Sequence, residues 1–311
     1  MTTENLGGTE RISAADLAHY REHGFAIVEN FLNPQELAAA HADIEALLPG
    51  WLDYARRPRG APPPDPLPPP RSRRETRFPF ASATANDGGA GLNAISLHPE
   101  LRRFAATMAG TDELFCEQAD LTWKHQGHHL DQDQILHCDY PNHTLAYPPA
   151  NPAYWQTTYL LYYTDVVARS APTAVVSRAH YRDELLWPPV YKRDKRPDLY
   201  ANEVKVTVPA GSLLIYSVRT FHRGTAFTAP GARIAQFISY TPARARWTGI
   251  VGWSEQANRK EFARWMAGAT TAERELFGFP PPGDPFWDEE ALAGVAARYP
   301  DMDLTPYRMR A

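Results

Sequence analysis

The sequence predicts a mainly β fold with flanking helices, whose strands form a sandwich, a barrel or a jelly roll. The main observation is a series of short apolar segments, rich in aromatic and β-branched residues, separated by Gly and Pro without helical patterns between them. A second observation is helical periodicity near both ends of the chain. A third is the hydrophobic content of 43% in 311 residues, which suffices for a substantial core. The expected strands are 114–123, 134–140, 155–166, 173–177, 203–208, 212–218 and 233–240.

The N-terminal region has an α-β-α pattern. A helix over 14–23 begins after Ser13, a residue type that caps helix starts, and ends at Gly24. The segment FAIVENF at 25–31 predicts a strand. A second helix begins after Asn33, and its apolar residues recur at helical spacing.

Proline-rich segments divide the rest of the chain. Residues 58–70 contain eight prolines, which predicts an exposed loop, with a flexible lid over a substrate site as the functional alternative. A helix is expected at 99–108, and the tail is helical apart from a second proline-rich break at 280–285. We therefore expect a main domain over 1–253 and a helical extension over 254–311 that packs on the same domain.

Composition and charge limit the function classes. The net charge of −4 indicates neither a nucleic-acid nor a membrane-surface partner. Cys116 and Cys138 are the only cysteines, which excludes a disulfide framework and a cysteine-based zinc site. The N-terminal sequence lacks the pattern of a signal peptide, and no apolar run reaches transmembrane length. A cytoplasmic protein is expected.

Four histidine–acid pairs with one intervening residue are candidate metal ligands. They are His41/Asp43, His98/Glu100, His129/Asp131 and His137/Asp139. His41 lies on the apolar face of a helix, where residues two apart point away from each other, so that histidine is expected in the core. His98 precedes a proline at a helix start, which explains that pair structurally.

The remaining two pairs differ in their context. His129/Asp131 lies in the polar stretch HQGHHLDQDQ, whereas His137/Asp139 lies where a strand ends. On an extended backbone, residues two apart project to the same side, so His137 and Asp139 can converge on one ion. This favours the second pair, with His129/Asp131 as its rival.

A third ligand is expected from a distant strand. The segment PAGSLLIYSVRTFHRG carries His222, and Arg233 follows at the head of the next strand. Two histidines and one carboxylate leave open positions on an octahedral ion, an arrangement associated with non-haem Fe(II) oxygenases. Nitrogen and oxygen donors also suit zinc or manganese.

The order of these elements resembles the phytanoyl-CoA dioxygenase family of Fe(II)/2-oxoglutarate oxygenases. The segment LAHYREHGFAIVENFLNPQELAAA is similar to that family's first helix, strand and second helix. The His137/Asp139 pair, the segment YYTDVVARSAPTAVVSRAH and the segment HRGTAFTAPGAR, which carries His222 and Arg233, follow in the family's order and spacing. The resemblance extends over residues 14–241.

The resemblance implies a double-stranded β-helix, a cupin-like jelly-roll barrel with a metal at its mouth. It assigns His137, Asp139 and His222 to Fe(II), and Arg233 to the far carboxylate of the cosubstrate 2-oxoglutarate, because a guanidinium matches a carboxylate with two donors. It also implies a dioxygenase that uses O2 to hydroxylate an unactivated C–H bond of a small organic substrate, releasing succinate and CO2. Related halogenases lack this carboxylate, so Asp139 favours hydroxylation.

Lys124 and Tyr162 are expected as further cosubstrate contacts. Lys124 ends the strand before the ligand strand, where the family often has a lysine near the pocket, although an ordinary exposed lysine also fits. Tyr162 equally suits burial in the barrel core. For Arg233 the alternative is an ion pair with a structural carboxylate, but Ala235 and Phe237 on its face of the strand are more typical of a pocket wall.

Two other function classes fit the sequence. One is a metal-binding cupin-type barrel whose chemistry is independent of 2-oxoglutarate, with a structural Arg233. The other is a non-catalytic binding module, which the intact ligand set argues against because such a module needs no open metal face. Aromatic-rich stretches at 140–163 and 181–191 predict an apolar or planar substrate site, with core packing or a protein-binding surface as alternatives.

Overall fold

A computed structural model describes most of the chain. The described residues are 10–56, 64, 76–80, 89–127, 131–145, 147–245, 248–249, 253, 259–284, 286–287 and 289–308. The proline-rich loop predicted at 58–70 lies outside them apart from Pro64, and so does His129. Within these ranges, no helix combines the length and apolarity needed to cross a membrane.

Helices lie before, between and after the strands. The N-terminal ones are α1 (Ala14–His23), α2 (Pro34–Leu47), α3 (Trp51–Arg56), α4 (Ala90–Ser96) and α5 (Pro99–Ala109). The later ones are α6 (Tyr140–His143), α7 (Pro197–Ala201), α8 (Lys260–Gly268), α9 (Thr271–Glu275), α10 (Glu289–Arg298) and α11 (Thr305–Arg308). The predicted starts are confirmed at α1, where Ser13 and Asp16 form a capping box, and at α2, where Asn33 and Glu36 do the same.

The strands form two five-stranded antiparallel sheets. They are β1 (Phe25–Val28), β2 (Leu114–His125), β3 (Leu136–His137), β4 (Thr157–Tyr162), β5 (Thr173–Val176), β6 (Val190–Tyr191), β7 (Glu203–Lys205), β8 (Leu213–Ser217), β9 (His222–Gly224) and β10 (Ala232–Pro242). The major sheet has the order β1-β8-β4-β10-β2 and the minor sheet β6-β3-β9-β5-β7. This confirms the predicted mainly β fold with flanking helices, and the paired sheets agree with a double-stranded β-helix.

Alternation along the strands of the major sheet separates two apolar layers. Leu160 and Tyr162 of β4 pack together with Val175 of β5, so this layer joins the two sheets. Tyr159 and Leu161 belong to the layer that also contains the apolar residues of the N-terminal helices. The minor sheet therefore covers one face of the major sheet and the helices cover the other.

The structure differs from the predicted strand pattern around the minor sheet. The strand expected at 134–140 is reduced to Leu136–His137, because α6 begins at Tyr140. The helices α6 and α7 also interrupt a region that the sequence predicts to be free of helices. These elements of two to five residues are too short to show a helical or strand period, so the sequence does not predict their bounds.

The C-terminal helices contact the major core. The carbonyl oxygen of Leu276, which follows α9, accepts a 2.7 Å hydrogen bond from the amide of Cys116 in β2. The buried Leu276 belongs to the same apolar cluster as the N-terminal helices, and the ring of Phe277 stacks on that of Phe78 at 5.2 Å. The boundary between a main domain and an extension at residue 253 stays a prediction.

Candidate metal centre

Three candidate ligands come together at one end of the minor sheet. His137 ends β3 and His222 begins β9, and the two residues are direct partners in the antiparallel pairing of these strands. Their ring centroids are 4.6 Å apart. Asp139 follows two residues after His137, where it precedes the first turn of α6.

The backbone at Asp139 corrects one step of the sequence argument. An extended chain was expected through the His137/Asp139 pair, but Asp139 has helical angles of φ −78° and ψ −20°. Cys138, between the two ligands, is buried, and its Sγ donates to the carbonyl oxygen of Arg219 at 3.3 Å. The turn into α6 thus starts at Asp139, and the carboxylate still reaches the two histidines.

The donor atoms are close enough to share one ion. One atom from each of His137, Asp139 and His222 lies within 4.8 Å of the others. Oδ1 of Asp139 lies 3.7 Å from Nε2 of His137, and Oδ2 lies 3.5 Å from Nε2 of His222. Two imidazole nitrogens and one carboxylate on one side of a point fit a facially bound first-row metal ion.

Backbone carbonyls fix the tautomer of both histidines. Nδ1 of His137 lies 2.8 Å from the carbonyl oxygen of Ile135, and Nδ1 of His222 lies 3.0 Å from that of Thr220. A carbonyl oxygen only accepts hydrogen bonds, so each Nδ1 carries a proton and each Nε2 presents a lone pair towards the other ligands. This is the orientation that metal binding requires.

The electrostatics of the cluster favour the same protonation states. Burial lowers the pKa of His222, against the opposing effect of Asp139, so the neutral ring is favoured. Burial acts to raise the pKa of the Asp139 carboxyl, but the neighbouring His222, His143 and His137 outweigh it and hold this pKa below its usual value. An ionised carboxylate and a neutral imidazole are the forms that bind metal.

Arg233 lies in the same cavity as the three candidate ligands. Its NH1 donates to the carbonyl oxygen of Ala171 and lies 3.5 Å from Oγ1 of Thr173. In the described part of the chain no carboxylate forms an ion pair with it, and burial lowers its pKa. A half-buried guanidinium without a protein anion leaves donors directed at a ligand, which argues against the structural ion pair considered from the sequence.

Lys124 and Tyr162 both lie next to Arg233, in different positions. Lys124 lines the cavity and is the direct cross-strand partner of Arg233, while its Nζ donates to the carbonyl oxygen of Thr225 at 2.5 Å. Burial, and then the charge of Arg233, lower the pKa of Lys124. Tyr162 is fully buried in the core, with its ring 5.9 Å from the guanidinium of Arg233 and its hydroxyl bonded to Thr173.

The cavity has further polar residues that the sequence argument did not single out. It has a volume of about 310 Å³, and Gln118, Gln134 and Thr158 contribute to its lining. His143 also lines it, with Nδ1 2.9 Å from Oε1 of Gln156. A usable signal was present for His143, because a residue four positions after Asp139 returns to the same side of a helical turn.

The other histidine–acid pairs have structural contacts. Nε2 of His41 lies 2.7 Å from the carbonyl oxygen of Tyr163, and Nδ1 of His98 accepts from the amide of Glu100 at the start of α5. Asp131 accepts from the backbone amides of Gly127 and Phe227. These contacts agree with the structural roles expected of His41 and His98.

Several solved structures share the fold of this chain. The carbocyclase SnoK from nogalamycin biosynthesis is 22% identical, with a TM-score of 0.51 over 75% of this chain and 85% of its own. The epimerase SnoN, in complex with Fe3+, alpha-ketoglutarate and nogalamycin RO, is 17% identical, with a TM-score of 0.51 over 74% and 83%. AviO1 from Streptomyces viridochromogenes Tue57 is 18% identical, with a TM-score of 0.51 over 76% and 97%.

A family model extends the likeness to the sequence itself. No curated protein matches this chain. The model described as "Phytanoyl-CoA dioxygenase (PhyH)" matches residues 20–235, which is more than half of the chain and includes all three candidate ligands and Arg233. On this match, the chain belongs to the phytanoyl-CoA dioxygenase family.

Proposed function

We propose that this protein is a non-haem Fe(II)- and 2-oxoglutarate-dependent dioxygenase that hydroxylates an unactivated C–H bond of a small organic substrate, releasing succinate and CO2. The observation that carries the proposal is the cavity that combines a His-Asp-His donor set with Arg233, a guanidinium that pairs with no carboxylate among the described residues. The dicarboxylate 2-oxoglutarate matches this combination, because one end suits a metal and the other suits the guanidinium.

The three ligands would hold the metal on one face. His137 and His222 each present Nε2, and Asp139 supplies the negative charge. When bound, Fe(II) and 2-oxoglutarate supply the activation of O2 and the oxidation of the substrate. Asp139 occupies a ligand position that a halide would need, so hydroxylation is favoured over halogenation.

Arg233 would bind the far carboxylate of 2-oxoglutarate. Its hydrogen bond to Ala171 and the ring of Tyr162 orient the guanidinium before the cosubstrate arrives. Lys124 lies opposite Arg233 on the neighbouring strand, with Nζ 3.5 Å from Oδ1 of Asp131, and would approach the same carboxylate. The complex of SnoN with Fe3+ and alpha-ketoglutarate supports this choice of cosubstrate.

The cavity lining favours a small substrate with polar groups. Gln118, Gln134, Thr158 and His143 offer hydrogen-bonding groups, and Phe237 adds an apolar surface on the wall. These residues would orient the substrate so that one C–H bond faces the metal.

Anaerobic absorbance of the Fe(II)-loaded protein tests the proposal. Adding 2-oxoglutarate is expected to produce a weak visible charge-transfer band in the wild type. Arg233→Ala is expected to weaken 2-oxoglutarate binding by about tenfold or more, because charge-assisted hydrogen bonds are lost. Arg193→Ala, at an exposed arginine stacked on Tyr200, is the control and should titrate as wild type does.

Two results would contradict the proposal in different ways. If iron binds but no band appears, 2-oxoglutarate is not the cosubstrate, and the protein is a metal-binding barrel with a different reaction. A band that Arg233→Ala leaves at full strength, at the same 2-oxoglutarate concentration, would assign the carboxylate site to another residue.

A further inference from the structure

A second cavity lies near the candidate metal centre. It has a volume of about 130 Å³, and we call it the arginine cavity. Its lining is Ala150, Trp155, Arg178, Tyr181, Arg182, Ser217, Arg219 and Thr220, none of which lines the first cavity. Tyr216 lines the first cavity and the next residue, Ser217, lines the second, because successive strand residues face opposite sides.

Aromatic rings hold two of the arginines in place. The guanidinium of Arg219 lies 5.8 Å from the ring of Trp155 and 5.6 Å from the ring of Tyr147. The guanidinium of Arg178 lies 5.5 Å from the same Trp155 ring. Trp155 is itself buried, and its indole nitrogen donates to the carbonyl oxygen of Pro149 at 2.7 Å. The two charged groups are therefore arranged before any ligand binds.

The positive charge of the arginine cavity exceeds the negative charge around it. No carboxylate occurs among its described lining residues. Among the described residues, the exposed Glu22 places its carboxylate 3.7 Å from NH2 of Arg182 at the rim. Burial, together with the charges of Arg182 and Arg219, lowers the pKa of Arg178. Three guanidiniums and one rim carboxylate leave two positive charges unmatched.

Helix capping explains only part of this arrangement. Nε of Arg178 and NH2 of Arg182 donate to the carbonyl oxygen of Glu22 in the last turn of α1, where cations are favourable. NH1 of Arg219 donates to the carbonyl oxygen of Pro148. In the described part of the chain, both terminal nitrogens of Arg178, and Nε and NH2 of Arg219, have no acceptor. These donors are free for a ligand.

We propose that the arginine cavity binds a phosphate group, either as free phosphate or as the end of a phosphate monoester. A phosphate dianion neutralises the two unmatched charges, whereas a single carboxylate leaves one. Its oxygen atoms accept from several guanidinium donors at once. The proposal is independent of the function of the metal centre.

Calorimetric titration of the full-length protein with inorganic phosphate, and separately with phenyl phosphate, tests it. Sodium chloride keeps the ionic strength constant, so that general screening does not contribute. Wild type is expected to bind one phosphate group per chain. Arg219→Gln and Arg182→Gln should each weaken binding by about tenfold or more, because each removes a charged donor. Arg193→Gln, an exposed arginine outside the cavity, should bind as wild type does.

The variants keep the test decisive even when one of them is unstable. Arg182 is exposed at the rim, so Arg182→Gln is expected to fold, and its thermal midpoint without phosphate checks this. Tighter binding of phenyl phosphate than of phosphate would assign the site to a monoester, and the reverse order to free phosphate. Absence of saturable binding of both probes, or binding that survives in both cavity variants, would overturn the proposal.

Discussion

His137 and His222 depend on the backbone around them for their chemical form. Each Nδ1 contacts the carbonyl oxygen of a residue two positions earlier, Ile135 for one and Thr220 for the other. Both Nε2 atoms thereby present a lone pair on the side where Asp139 lies, as metal binding requires. At Ile135 and Thr220, the site therefore depends on the backbone carbonyl group and not on the side chain.

Asp139→Ala is expected to lower the affinity for Fe(II) by more than about a hundredfold, because it removes the anionic ligand. Loss of a residue that only supports a ligand already lowers metal affinity by about 10–100-fold. Asp131→Ala is the control for the rival pair, since Asp131 accepts from the amides of Gly127 and Phe227 and lies 3.5 Å from Nζ of Lys124, away from the three candidate ligands. Anaerobic equilibrium dialysis measures both affinities. Tight binding by Asp139→Ala together with weak binding by Asp131→Ala would show that the other pair holds the metal.

The sequence singled out the candidate ligands but not the groups that support them. His137, Asp139, His222 and Arg233 are predictable because each is a chemically distinctive residue at a strand end, in an order that a known family shares. His143 was missed because the four-residue helix that carries it was not predicted, although its position four residues after Asp139 was a usable signal. The carbonyl contacts of the histidines depend on backbone geometry, which residue identity does not specify.

Among the elements, strands with a clear apolar pattern could be predicted, whereas the bounds of the two-residue strands could not. The strand expected at 233–240 is β10, Ala232–Pro242, whose eleven residues alternate between two layers. The pairing of β3 with β9 consists of the single step His137–His222, which no periodicity reveals. Capping residues made the start of α1 predictable, because Ser13 bonds to the amide of Asp16.

Gly24→Ala is expected to destabilise the end of α1. Gly24 has φ +80°, which strains an alanine by about 1–2 kcal/mol. Its added Cβ would also lie 3.3 Å from Oγ1 of Thr220. Gly110→Ala is the matched control, because Gly110 has φ +67° at the end of α5 and nothing lies within 4 Å of its added Cβ.

Urea unfolding of the two glycine variants separates strain from contact. Both are expected to lose stability, and Gly24→Ala should lose more, because Thr220 must move to admit the methyl group. Equal losses would contradict this, since they would mean that the contact with Thr220 adds nothing.

In the molecule as a whole, the order of the strands within each sheet could not be predicted from the sequence. Each sheet joins strands from distant parts of the chain, such as β1 with β8. A hydrophobic pattern indicates which face of a strand is buried, but it does not indicate which strand lies beside it. The sequence likewise predicted a helical tail packed on the main domain, but not the residues that attach it. That attachment depends on Leu276, which is 3% exposed and shares a cluster with the N-terminal helices.

The prediction of one domain with a packed extension is tested by Leu276→Ala. This change is expected to lower the free energy of unfolding by about 2–5 kcal/mol within a single cooperative transition, because it leaves a cavity in the shared core. Phe286→Ala is the control, since Phe286 is 49% exposed and should have little effect. Two transitions, of which Leu276→Ala shifts only one, would show that the extension unfolds independently.

The short segment from Ser217 to His222 contacts both cavities. The side chains of Arg219 and Thr220 line the arginine cavity, whereas their carbonyl oxygens contact Cys138 and His222 at the metal centre. Any movement of this segment on binding at one cavity would reach the other, and such coupling is reciprocal. Whatever factor a bound anion introduces into the affinity for metal, the metal introduces into the affinity for the anion, so either ligand serves as a reporter of the other.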